Sequence, residues 1–161
     1  MGFSVRPDVS VIIPAFNEVE NVEPLLAELA ARLGLSNVRF LHPLTSAAFP
    51  DVQAMADVTL LPTRQDAAMT SVPSKLIAYM LSARPVLAAV HPDSDTAEII
   101  DTARCGLHVQ PEAPSAIAHG IGTLMKAGAE LTDMGTRART YAVKHCSKTA
   151  CVPRLVEIIE N

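Results

Sequence analysis

The stretch TSVPSKLIAYML, Thr70 to Leu81, sets two serines and a lysine around a proline. Pro73 has no N–H and a fixed φ, so a helix tolerates it only in the first turn. Ser71 ahead of it is a natural N-cap, and Ser74 and Lys75 then occupy the opening turn. Such a start offers unbonded backbone N–H groups, including that of Val72, together with hydroxyls and a cation facing one way. That combination suits a phosphate. An ordinary helix start with a solvated lysine carries the same local pattern.

Other reactive side chains form no comparable constellation. His42 and His91 each follow an expected strand and read as polar exits or as groups pointing into a cleft. His108, His119 and His145 show no metal-ligand spacing with one another or with cysteine. Asp93 and Asp95 have the look of a metal-binding pair, but Asp95 also fits the cap of the helix that follows. No Ser-His-Asp arrangement, Walker loop or glycine-rich dinucleotide fingerprint occurs. Met55, Met69, Met80, Met125 and Met134 read as packing residues.

The elements that must position Lys75 alternate along the chain. VSVIIP (Val9–Pro14) is an unbroken apolar run, the mark of a strand buried on both faces. Val22, Leu25, Leu26, Leu29, Ala30 and Leu33 then recur at helical spacing until Gly34 stops the helix. Val38–Leu41, Val58–Pro62, Pro85–Val90 and Gly106–Val109 are the further strands. Helices are expected over Phe49–Ala56, Pro73–Ser82, Asp95–Cys105, Ala113–Ala127, Leu131–His145 and Ser147–Glu160. Alternation of this kind implies βαβ crossovers and a parallel sheet, with ligands at the carboxyl ends of the strands. The start of the Lys75 helix shares that edge. The polar stretch Thr63–Thr70 beside it is the expected mobile loop.

Composition narrows the function classes. The chain has 161 residues, net charge −4 and no long basic run, which argues against nucleic-acid binding. Apolar residues make up 49% but aromatics only 4%, so alanine, leucine and valine supply the core. No apolar run reaches the roughly 20 residues of a membrane span, and no secretory signal pattern opens the chain. Cys105, Cys146 and Cys151 fit neither a disulfide framework nor a CxxC site and read as packing residues. A cytoplasmic protein is expected, peripheral to the inner membrane only through partners.

From about residue 37 to 160 the chain resembles the C-terminal half of a GT-B glycosyltransferase of the retaining family 4 type. The matching pieces are NVRFLHPL, ADVTLLP, SVPSKLIAYMLSARPVLAAV, DSDTAEII, CGLHVQPEAP and MGTRARTYAVKH, in order. SVPSK, YM and RPVLA are similar to a bacterial subgroup that builds surface polysaccharides. The resemblance implies a domain that holds a nucleotide-sugar donor and needs no metal. It implies that Ser71, Val72, Ser74 and Lys75 cradle the diphosphate. The parent activity is transfer of a hexose to a glycan or lipid-linked acceptor.

Residues 8 to 33, with VSVIIPAFNEVENVEPLLAEL, resemble instead the opening of a family 2 (GT-A) glycosyltransferase. There Asn17 and Glu18 would touch the nucleotide. The chain thus reads as composite, with a family 2 strand and helix (1–36) ahead of a GT-B segment (37–161) in one Rossmann-like domain. An engineered fusion, a gene remnant and a natural recombinant would all look like this, and a folded scaffold without activity is the alternative function.

Several positions depart from the GT-B pattern. The ribose-binding glutamate aligns with Ala78, which cannot accept a hydrogen bond, and an earlier glutamate falls near Asp66 or Thr70. Asp66 keeps a carboxylate and is a further polar candidate. Ala83 stands where the family usually has glycine. No lysine precedes Lys75 to supply the first unit's cation, and Arg32 faces away. The resemblance also implies a cleft between two domains, so the expected partners are a missing acceptor-binding domain or a second copy. The expected fold is α/β: a three-layer Rossmann-like sandwich with a parallel sheet of about five strands and a helical C-terminus. No catalytic residue is assigned.

Overall fold

The computed structural model describes residues 11–12, 26–28, 30–39, 45, 47–66, 69 and 72–160. Four strands are described: β1 (Val11–Ile12), β2 (Val58–Pro62), β3 (Val86–Ala89) and β4 (Gly106–Val109). They form one parallel sheet in the order β1-β2-β3-β4. Pro62 is registered with Ala89, and Ala89 with Val109, so β2, β3 and β4 end level. The helices are α1 (Phe49–Ala54), α2 (Ser74–Leu81), α3 (Asp95–Ala103), α4 (Pro114–Met125), α5 (Glu130–Cys146) and α6 (Lys148–Glu160).

Alternation along the strands builds two cores, which makes the domain three-layered. Leu61, Val86, Ala88 and Val90 face α2, α3 and α5, meeting Leu76, Tyr79, Met80, Ala97 and Ile100. Val58, Leu60 and Leu87 face the other way, toward Leu124 and Ile121 of α4. Each fully buried leucine or valine contributes about 1.5–3 kcal/mol. Small residues bring α5 close: Ala138 and Ala142 are fully buried, and a Cβ at Gly135 would stand 2.1 Å from the carbonyl oxygen of Ala83.

The sequence reading needs correction in several places. Val38 and Arg39 are irregular rather than the start of a strand, and residues 40 and 41 lie outside the described ones. β1 pairs directly with β2. Pro73 is the N-cap of α2 rather than a first-turn residue, its ψ of 134° holding it extended, so the helix begins at Ser74. Ser71 therefore stands too far upstream to be the cap residue. Ser94, not Asp95, caps α3: its Oγ accepts the Ala97 N–H at 3.2 Å. Met55, Met69 and Met125 are exposed, as is Cys151, and only Met80 and Cys105 of these groups are fully buried.

Other expectations hold. Residues 26–28 and 30–32 are helical. Gly34, at φ +64°, ends them with paired bonds from Gly34 N–H to Ala31 and from Leu35 N–H to Ala30. Ala83 has φ +56°, the left-handed conformation that explains why glycine suits this position.

Candidate functional site

Between β2 and β3 the chain must return across the sheet, so α2 runs antiparallel to the strands and starts at their carboxyl edge. α3 does the same after β3. Both pack on one face of the sheet, so two helix N-termini open at this edge.

Their electrostatics differ. The first turn of α3 carries Asp95 and Glu98, which offset its dipole, and Ser94 caps it. The first turn of α2 has no acidic residue and no side-chain cap, while Ser74 and Lys75 lie exposed on it. The α2 start is therefore the end with the stronger pull on an anion. Val72 packs its side chain against the core beneath α2, so only its backbone can serve a ligand.

The edge is tied to β3 where β2 leaves the sheet. Thr63 donates both its N–H (3.2 Å) and its hydroxyl to the Ala89 carbonyl. Just beyond, Arg64 Nη2 lies 3.2 Å from Asp66 Oδ2, with both side chains largely exposed. Asp66 is thus at the edge as expected, but its charge is engaged by Arg64. Arg64 itself is a further exposed cation on the segment that leaves β2. Sequence reading passed over it, although its place two residues beyond β2 was the available signal.

His91 follows β3 at the same edge. Its Nδ1 accepts the Asp93 N–H at 3.2 Å. The Asp93 carboxylate stands 3.7 Å from the same nitrogen. Among the described residues no group of three or more metal-ligating side chains gathers. Asn17, Glu18, Ser71 and His42 lie outside the described residues. A separate concavity of about 290 Å³ opens at the far end of α3, lined by Ala103, Arg137, Tyr141 and Lys144. Arg137 there is bound to the Arg104 carbonyl (2.8 Å) and to Glu130 (2.6 Å).

Burial raises the pKa values of two core groups. Desolvation pushes the Tyr79 phenol up to about 12, and its hydroxyl finds no partner among the described residues. Burial likewise pushes the Cys105 thiol up to about 11. Both groups stay neutral and serve as core.

Known proteins bear on this arrangement. Anabaena Alr3699/HepE in complex with UDP superposes with TM-score 0.76 at 18% identity, over 96% of this chain and 42% of that one. A glycosyltransferase from Rickettsia africae gives 0.69 at 19%, over 92% and 38%. Sucrose-phosphate synthase from Thermosynechococcus elongatus gives 0.74 at 16%, over 93% and 37%. The chain thus spans less than half the length of each. No curated protein sequence matches it significantly. The family described as glycosyl transferases group 1 matches residues 11–127. The chain, an α/β domain of the GT-B Rossmann-like kind, belongs to the glycosyl transferases group 1 family.

Proposed function

We propose that the chain is the donor-holding part of a hexosyltransferase and that the start of α2 binds the diphosphate of a nucleotide sugar. The carrying observation is the exposed Ser74 and Lys75 on a helix start without acidic residue or side-chain cap, at the carboxyl edge of the sheet. Arg64 adds a cation, and Ser71 and the Val72 N–H complete the cradle. Asn17 and Glu18 reach the nucleotide from the neighbouring loop. Support comes also from Anabaena Alr3699/HepE, whose structures hold UDP, and UDP with glucose.

Residues 1–161 act as one domain in this reading, with the family 2-like unit 1–36 serving as the first strand and helix of the sheet. The parallel pairing of β1 with β2 supports that role. Transfer needs donor and acceptor held together, so the chain binds donor and a second domain supplies the acceptor. Val152, Leu155, Ile158 and Ile159 of α6 are exposed along one helical stripe, which suits coverage by such a domain or by a second copy. The three cysteines are free thiols, in keeping with the cytoplasm, and membrane contact then comes through partners. The end use is assembly of a surface polysaccharide.

Titration calorimetry with UDP and GDP tests the reading. Saturable heat that falls at least several-fold in Lys75→Ala and Ser74→Ala supports it. No saturation at millimolar nucleotide overturns it and leaves a folded scaffold.

A further inference from the structure

The cations of this chain are unevenly placed. From Met134 to Val156 it carries Arg137, Arg139, Lys144, Lys148 and Arg154 and no acidic residue. The rest holds 8 basic residues against all 17 acidic ones. The basic stretch is the body of α5 and most of α6. Of its five cations only Arg137 meets an acid among the described residues, Glu130 at 2.6 Å. Arg139 donates to a neutral partner, the Leu81 carbonyl, at 2.9 Å, and Arg139, Lys144, Lys148 and Arg154 are all exposed.

α6 adds an apolar face to these charges. At about 3.6 residues per turn, Cys151, Val152, Leu155, Val156, Ile158 and Ile159 share one arc of about 160°, and Glu157 and Glu160 fall outside it. No residue of α6 is buried, and Ile158 and Ile159 are 73% and 74% exposed. A concavity of about 410 Å³ on this helix is lined by Cys151, Val152, Leu155 and Ile158 together with Arg154, so apolar surface and charge meet there. The arc alone suits a second domain or a second copy. A second copy packed symmetrically through α6 would set Lys148 and Arg154 against like charges. An anionic bilayer surface matches both the arc and the cations. Among the described residues no helix is long and apolar enough to cross a membrane, so the contact is one of lying on the surface.

We propose that α6 and the adjoining end of α5 form a docking face for an anionic membrane surface. α6 lies flat, with its apolar arc among the lipid headgroups and with Lys144, Lys148 and Arg154 on their phosphates. This goes beyond the donor reading and does not depend on it. It gives the chain a membrane contact of its own beside any that partners make. The acidic remainder is repelled by the same surface, so the domain meets the membrane in one orientation.

Co-flotation of the full chain with vesicles tests it, using phosphatidylcholine alone and phosphatidylcholine mixed with phosphatidylglycerol. At low salt the wild type floats with the mixed vesicles and at least several-fold less with phosphatidylcholine alone, and added salt weakens the association. Lys148→Ala and Arg154→Ala each weaken it about fivefold, the factor for one cation near such a surface. Ile158→Ser combined with Ile159→Ser abolishes it although every cation remains. Because no α6 residue is buried, these variants keep the wild-type melting curve. Lys126→Ala, an exposed cation at the end of α4 on the other side of the sheet, leaves flotation unchanged. Equal flotation with both vesicle types, or none with either, overturns the proposal. An equal loss in Lys126→Ala overturns it too, because the attraction would then belong to no one face. A dimer in analytical ultracentrifugation that the double serine variant dissolves, without lipid association, gives the face to a second copy instead.

Discussion

Thr63 turns its amide and its hydroxyl onto a single atom, the carbonyl oxygen of Ala89 on the neighbouring strand. Thr59, four positions earlier, does the same to the carbonyl of Pro85, at 2.9 and 3.0 Å. The β2–β3 pair is therefore latched at both ends, and the outer latch fixes where the chain departs toward Arg64 and α2. Thr63→Val keeps the amide bond and loses the hydroxyl's. Unfolding in urea will show a loss of about 1 kcal/mol, and UDP affinity will fall with it if the latch positions the loop.

Gly135 and Ala83 form a second close pair. A methyl group at Gly135 would meet the Ala83 carbonyl oxygen at 2.1 Å, a backbone atom that cannot swing aside. Gly135→Ala will cost about 1–3 kcal/mol by forcing α5 off α2. A chemical denaturation midpoint unchanged from wild type would contradict this packing.

Ala83 itself holds φ +56°. Relief of left-handed strain outweighs the added freedom of the unfolded chain, so Ala83→Gly will stabilise by roughly 0.5–1 kcal/mol. The shift in melting temperature should be upward and should leave nucleotide binding untouched.

The buried Tyr79 hydroxyl has no partner among the described residues. Tyr79→Phe removes that unmet group at little volume cost and will be neutral or stabilising by up to about 1 kcal/mol. Its pH dependence follows in sign. The folded phenol titrates near 12 against an ordinary 10.0, so the unfolded chain loses its proton first. The Tyr79 share of stability is full below pH 10 and declines as pH rises toward 12. Tyr79→Phe will flatten that decline, leaving the share owed to Cys105, whose thiol moves from 9.0 to about 11.

The Arg64–Asp66 pair is exposed, and its attraction is weak and salt-sensitive. Asp66→Asn will release Arg64 and tighten UDP binding about twofold at low salt by removing a repelling charge, and the gain will vanish at high salt. Weaker binding in Asp66→Asn would show instead that the carboxylate touches the ligand.

Much of the fold was legible because periodicity reports burial. β2 and β4 run over the expected residues, and β3, α2, α4, α5 and α6 differ from expectation only at their ends. Caps were less legible. Ser94, Asp95 and Thr96 can all accept an N–H in sequence, and only backbone geometry makes Ser94 the cap. A proline at Pro73 suits the N-cap as well as the first turn, and its ψ decides which. Methionine exposure was not legible either: Met80 and Met55 are equally apolar, but one faces the sheet and the other faces water.

The amino-acid order determined the alternation of strand and helix, the parallel sheet that follows from it, and the presence of a hydroxyl and a cation at one helix start. These depend on contacts between near neighbours and on the period of burial, both written in the chain. The tertiary structure alone decided that α2 and α3 pack on one face of the sheet, that the acid-free first turn opens at the same edge as the acidic one, and that the His91 ring turns its Nδ1 to an amide two residues on. Those facts depend on distances between segments remote in sequence and on the rotation of a ring about its own bonds, and no pattern of residue types encodes either.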